Sequence, residues 1–258
     1  MLGPVREFVA AFGFLTRLPV WWLIAGQDPP ALGKSVWAYP IVGAAVGAIG
    51  GGIAAIALWA GMPVLLAAVL AVTAMILVTG ALHEDGLADT ADGFGGGSTK
   101  ARKLEIMRDS RLGTYGAVAL MLSTLIRCAA LVALAEPRLI LVSLVVTGAL
   151  SRGFLAPLLQ WLPRARADGL GAQAARPGVI RCLISLTIAI GATVALGSFT
   201  AAAGVVVAAI VLAAIVALLA LRQVGGQTGD VMAAAEQSIE CAVLVVLVAL
   251  KSAVVIAV

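Results

Sequence analysis

Residues 83–92 read His-Glu-Asp-Gly-Leu-Ala-Asp-Thr-Ala-Asp, five ionisable side chains directly after an apolar run, followed by Gly93 and the run Gly95-Gly96-Gly97. On a helix, offsets of 0, 4 and 7 put Asp85, Asp89 and Asp92 within about 60° of one another, on one face. Three carboxylates stacked in this way repel, so something positive has to compensate them. Oxygen ligands with no cysteine and a single histidine point to a hard cation, Mg²⁺ or Mn²⁺, rather than zinc. Such ions share their coordination with water and phosphate oxygens, which makes this face a candidate phosphoryl-transfer site. The bland alternative is a solvated acidic loop. It loses ground because the rest of the chain avoids charge almost everywhere. Gly95 to Gly97 can bring backbone amides near a phosphate or can simply turn the chain. His83 reads equally as a hydrogen-bonding residue at a helix end or as a participant.

Bases that would meet a phosphate follow in Lys103-Leu-Glu-Ile-Met-Arg108-Asp109-Ser-Arg111-Leu-Gly113-Thr-Tyr-Gly116. Arg108 and Arg111 share a helix face at i, i+3 around Asp109, while Lys100 and Arg102 read as membrane anchors. Arg152 falls deep in an apolar run, where a charge costs about 2.5–3.5 kcal/mol on insertion scales, so it should pair with one of the aspartates or with a phosphate. Arg127 either faces the same interior or snorkels. A third cluster is Gly225-Gly226-Gln227-Thr228-Gly229-Asp230, leading to Glu236 and Glu240. Thr228 suits a helix N-cap and Asp230 the first turn. Glu236 and Glu240 stack at i, i+4 where the chain is expected to re-enter the membrane, which suggests a ligand, a second metal or a general base.

The elements that must position these residues are apolar. Of 258 residues, 62% are hydrophobic and 12% charged, against roughly 25% charged in a soluble domain. That excludes a water-soluble enzyme. The fold class expected is an all-α, polytopic membrane helical bundle of about seven spans, with a range of six to eight, forming a single domain over 1–258. Seven stretches qualify, at 36–60, 63–82, 115–135, 138–159, 181–198, 200–221 and 239–258. With the N-terminus cytoplasmic, thirteen of the seventeen bases and twelve of the thirteen acids fall on that side, so the active site belongs to the cytoplasmic face. Residues 1–35, with Phe12, Trp21 and Trp22 among prolines, suit an interfacial or re-entrant segment. Gly43, Gly47 and Gly50 to Gly52 form a close-packing helix face. Cys128, Cys182 and Cys241 read as small buried hydrophobes. The net charge of +4 is scattered among inter-span segments, which argues against a nucleic-acid partner.

Five segments occur in order: Phe14-Leu-Thr-Arg17-Leu-Pro, His83-Glu-Asp-Gly-Leu-Ala-Asp-Thr-Ala-Asp-Gly93, Lys103 to Gly116, Ala165-Arg-Ala-Asp-Gly-Leu-Gly171 and Gly226-Gln-Thr-Gly-Asp230. Together, over residues 8–240, they resemble the cobalamin synthase family, the adenosylcobinamide-GDP ribazoletransferases. The chain departs from that pattern at Met232-Ala233-Ala234, where Gly-Ala is expected in the last two places. The resemblance implies an enzyme of the bacterial inner membrane that joins adenosylcobinamide-GDP to α-ribazole, or its 5′-phosphate, releasing GMP with Mg²⁺ as cofactor. Asp85, Asp89 and Asp92 would hold Mg²⁺. Arg108, Arg111 and Arg152, with Thr228 and Asp230, would contact the substrate phosphates. Glu84, Asp92 or Glu240 would take the hydroxyl proton. The lipid bilayer is a partner, and a homo-oligomer is left open. Two rivals remain. A CDP-alcohol phosphotransferase expects Asp-Gly-x-x-Ala-Arg, whereas here Asp85-Gly-Leu-Ala88 is followed by Asp89, not arginine. A cation-coupled transporter would line a midplane pathway with its charges.

Overall fold

The computed structural model describes residues 3–25, 30–166, 176–196 and 199–251. It is all-α. Six helical stretches are long and apolar enough to cross a membrane: Leu32–Trp59, Thr114–Leu134, Pro137–Trp161, Val179–Leu196, Phe199–Gln223 and Gly229–Ala249. A seventh arises if a bent pair counts as one span. In chain order the helices are α1 (Gly3–Leu15), α2 (Leu32–Ser35), α3 (Tyr39–Trp59), α4 (Val64–Thr79), α5 (Leu82–Gly96), α6 (Lys100–Ile106), α7 (Thr114–Leu134), α8 (Pro137–Gly153), α9 (Leu155–Trp161), α10 (Val179–Leu196), α11 (Phe199–Gln223) and α12 (Gly229–Ala249).

The α8–α9 stretch and α12 form the centre, 83% and 67% buried, whereas α10 and α11 are 22% and 28% buried. The outer helices turn side chains such as Leu125, Ile180 and Phe199 outward, as lipid-facing helices do. The closest helix contact is between α3 and α8. A Cβ on Gly43 would strike the Gly148 carbonyl oxygen, and one on Gly47 the Leu144 carbonyl. This is the small-residue approach expected of bilayer-embedded helices, which gain van der Waals contact rather than hydrophobic driving force.

At 13 residues, α1 reaches about 20 Å, too short for a hydrocarbon core of about 30 Å. It buries Val9, Ala10, Ala11 and Leu15. The chain after it donates a hydrogen bond from Arg17 N to the Val78 carbonyl at 2.7 Å, against the end of α4. There α4 stops at Gly80, left-handed with φ +64°, and Ala81 follows at φ +58°. Two successive left-handed residues turn the chain by 89°. Consequently α5 leaves the direction of α4 at right angles, and the acidic motif it carries packs along α7 and α12.

The last span begins earlier than its hydropathy indicates. Expected over 239–258, the helix runs over Gly229–Ala249, starting where Thr228 Oγ1 accepts from Val231 N at 3.1 Å. A hydropathy window penalises Asp230, Glu236 and Glu240, but a formed cap and paired charges allow the helix to start ten residues sooner.

Candidate active site

Gly86 lets α5 approach α12. A Cβ there would stand 2.5 Å from the Ala233 Cβ and 2.9 Å from the Asp230 Cα, closer than packed side chains permit. Asp230, in the first turn of α12, therefore shares the field of Asp85 and Asp89. Burial together with Asp85, Asp230 and Asp92 pushes Asp89 up to about 7, opposed by Arg166. Burial and the neighbouring carboxylates both disfavour the charged form of Asp89, and Arg166 only partly offsets them. Among the described residues, no group of three or more His, Cys, Asp or Glu side chains is gathered closely enough to hold a metal ion alone. Asp85, Asp89 and Asp92 thus share a helix without converging on a point. The donor set fits an ion that takes one or two carboxylates and completes its shell with water and substrate phosphate, as Mg²⁺ does.

Asp92 has another task. Its carboxylate accepts from Gly113 N at 2.7 Å and from Gly116 N at 2.8 Å, the opening amides of α7. A Cβ at either glycine would run into Asp92 oxygens, which explains both glycines of the Gly113-Thr-Tyr-Gly116 segment. Asp92 is a capping carboxylate delivered from another helix.

The bases arrange themselves differently from the expected helix face. Helix α6 ends at Ile106, and Asp109 Oδ1 accepts from Arg111 N at 3.1 Å, an Asx-type turn that diverts the chain. Arg108 and Arg111 consequently lie in a loop and part company. Arg108 acts on Asp230. Arg111 lines the cleft with Asp85 and Asp89 and holds Asp109 bidentately, Nε donating to Oδ1 at 3.0 Å and Nη2 to Oδ2 at 2.5 Å, which lowers Asp109 to about 2. A base not singled out individually in the sequence, Arg166, reaches the carboxylates from a third segment. Its Nη1 lies 3.7 Å from Asp230 Oδ2, and its Nη2 donates to the Leu104 carbonyl at 2.8 Å. The signal available for it was its place in the Ala165 to Gly171 segment, of which residues 167–171 lie outside the described residues.

Backbone pairing fixes that segment. Ala165 N donates to the Gln227 carbonyl at 3.0 Å and Gln227 N to the Pro163 carbonyl at 2.8 Å. Gly226, at φ +155°, allows the approach, since a Cβ there would strike the Pro163 carbonyl oxygen. Thr228 is 5% exposed and is engaged in capping and in a 3.3 Å bond to Asp230 Oδ2.

Two cavities meet at Asp85. One, of about 280 Å³, is lined by Glu84, Asp85, Asp89, Ser110 and Arg111. The other, of about 230 Å³, is walled mostly by apolar side chains and has Tyr39, His83, Asp85 and Asp230 as its polar members.

Behind them lies a buried charge network joining α5, α7, α8 and α12. Arg127 Nη1 stands 3.0 Å from Glu84 Oε1 and 3.5 Å from Glu240 Oε1. Arg152 Nη1 stands 2.7 Å from Glu236 Oε1 and 3.8 Å from Glu240 Oε2. Ser151 donates to Glu236 at 2.8 Å and Gln237 to Glu84 at 3.2 Å. Arg152, expected to meet an aspartate or a phosphate, pairs instead with glutamates from α12, because both helices are central and pack against each other there. Glu240, expected to act on substrate, is 1% exposed and lines neither cavity. Of the three carboxylates considered for the hydroxyl proton, Glu84 lines the polar cleft and keeps Oε2 without a partner. The intramembrane charges close on one another instead of lining a pathway, which removes the support for a transporter.

The chain matches the model of the cobalamin-5-phosphate synthase family over residues 7–248. An adenosylcobinamide-GDP ribazoletransferase of Bradyrhizobium diazoefficiens is 43% identical over 251 residues, covering 96% of this chain and 95% of that one. Counterparts from Azorhizobium caulinodans and Xanthobacter autotrophicus are each 45% identical, covering 91% and 90% of this chain and 92% and 91% of theirs. No solved structure matches it.

Proposed function

The chain belongs to the cobalamin-5-phosphate synthase family, transferases of cobalamin assembly, and on that premise we propose that its paired cavities join adenosylcobinamide-GDP to α-ribazole, or its 5′-phosphate, with release of GMP. The observation that carries the reading is the position of Asp85, which walls both cavities. A diphosphate in the polar cleft and an acceptor hydroxyl arriving from the apolar cavity would meet there.

Asp85 and Asp89, with Asp230 beside them, would hold Mg²⁺ against the diphosphate. Bound there, the ion supplies charge neutralisation and draws the phosphate oxygens into line. Arg111 and Arg108 then stabilise charge moving onto the departing GMP phosphate. Arg166 steadies Asp230. In the transfer, the ribazole hydroxyl oxygen bonds to the cobinamide-side phosphorus, and the bond from that phosphorus to the bridging oxygen breaks, leaving with GMP. Glu84, on the wall of the polar cleft, would receive the hydroxyl proton. The site faces the cytoplasm of a bacterial inner membrane in this reading, supported by the concentration of bases on the same side as the motif.

The test is GMP release by purified protein supplied with adenosylcobinamide-GDP and α-ribazole. Release should require both substrates and Mg²⁺, stop with a chelator, and fall by about a hundredfold or more in Asp85→Asn and Asp89→Asn. Wild-type turnover by Asp89→Asn in saturating Mg²⁺ would remove the metal role. An absence of GMP from the wild type would remove the reaction.

A further inference from the structure

The apolar cavity has a shape and a chemistry of its own. It lies between the end of α1 and helices α2, α3, α5, α9 and α12, with Phe14, Leu32, Leu82, Leu155, Leu159 and Met232 on its walls. At about 230 Å³ it is smaller than the roughly 300–1,000 Å³ that encloses a drug-sized ligand, so no corrinoid macrocycle enters it. A single bicyclic ring does. Guanine matches it poorly. That base brings a carbonyl oxygen and ring-nitrogen acceptors that neither leucine side chains nor carboxylates can satisfy, and acceptors buried without partners weaken binding. The side chains of Tyr39 and His83 interrupt the apolar wall. His83 is 2% exposed, and neither ring nitrogen has a hydrogen-bond partner. Its Nδ1 lies 3.9 Å from Glu236 Oε2, beyond hydrogen-bond reach. Both nitrogens are closed off from the cavity, so His83 adds a ring surface rather than an open hydrogen-bonding group to its wall.

We infer that this cavity selects the acceptor nucleoside by its base, taking a flat bicyclic ring with few polar groups that packs between the leucine side chains and the rings of His83 and Tyr39. The ribose then points toward Asp85 and Asp230, whose carboxylates accept from its hydroxyl groups, and the reacting hydroxyl reaches the wall shared with the polar cleft. The guanine end of the other substrate stays outside. This inference rests on the transfer reaction proposed above and adds which cavity holds which partner. Size and the missing polar partners would then set base specificity.

Leu159 and Leu32 border the cavity and are partly exposed, so a larger side chain at either can fill it from the rim. In full-length protein in detergent, Leu159→Trp and separately Leu32→Trp should raise KM for α-ribazole by about tenfold or more, the scale of a filled apolar pocket. KM for adenosylcobinamide-GDP should hold within about twofold, and guanosine should not compete with α-ribazole. Direct binding of α-ribazole by calorimetry provides a readout independent of turnover. If the wild type binds α-ribazole, both tryptophan variants lose that binding, and no GMP appears, the cavity assignment holds and the reaction proposal fails. The assignment is overturned if either correctly folded variant leaves α-ribazole binding and KM unchanged, or raises KM for adenosylcobinamide-GDP instead.

Discussion

Asp92 stands three residues beyond Asp89 on one helix, and their spacing treats them as equivalent. Their partners do not. Asp89 faces Asp85 and Asp230, while Asp92 receives two amides from α7. Replacing Asp92 with alanine should strand both amides and cost about 1–3 kcal/mol, read as a clear fall in Tm in detergent. Asp92→Asn, which keeps one acceptor, should fall between. If instead both variants kept their Tm and lost turnover that high Mg²⁺ restores, Asp92 would belong with the cation ligands. The residue types of the site were legible: every carboxylate and arginine around Asp85 lies in a segment that the sequence marks as polar. Their pairings were not, because Gly113 and Gly116 lie 21 and 24 residues from Asp92, and nothing local distinguishes an aspartate that caps from one that binds.

At the scale of elements, the corner between α4 and α5 decides where the acidic motif points. The sequence shows an apolar run ending in Thr79-Gly80-Ala81, but a glycine after a helix is compatible with a stop, a kink or a bend of any angle. The angle is set by long-range contacts: Arg17 packs on Gly80, where a Cβ would collide with its Nε, and the backbone of Arg17 bonds to Val78. The Phe14 to Pro19 segment is therefore part of the corner. Gly80→Ala should cost about 1–2 kcal/mol from the left-handed φ alone, with the Arg17 collision added, and should lower Tm and turnover together as α5 shifts. The glycines of α3 provide a contrast that spacing could not. Gly52 has open space where a Cβ would go, whereas Gly43 would strike the Gly148 carbonyl. Gly52→Ala should be neutral or stabilising by about 0.5–1 kcal/mol, and Gly43→Ala should loosen the bundle, a difference that thermal unfolding in detergent can measure.

Across the whole molecule, the few charges serve two separate purposes. The class of fold was legible because so little charge leaves no other solution, and the spans were legible to within a turn wherever no ionised side chain lies inside them. Hydropathy failed at α12, since it scores Glu236 and Glu240 as water-seeking without seeing the guanidinium groups opposite. Those groups form the buried network, three glutamates against Arg127 and Arg152, and it joins the helix of the acidic motif to the two central elements of the bundle. Breaking such a pair costs more than removing it. Arg152→Met leaves Glu236, 0% exposed, without its 2.7 Å partner, and should cost about 3–5 kcal/mol. Arg152→Met combined with Glu236→Gln should recover most of the loss, because the amide can still accept from Ser151 and no buried charge is orphaned. A double-mutant cycle on thermal stability reads this coupling directly. Recovery of stability with restored turnover would show the network acting as a scaffold that holds α5 against α12. If the folded double variant stayed inactive, with the KM values of both substrates unchanged and kcat lost, the charges themselves would have a part in the chemistry.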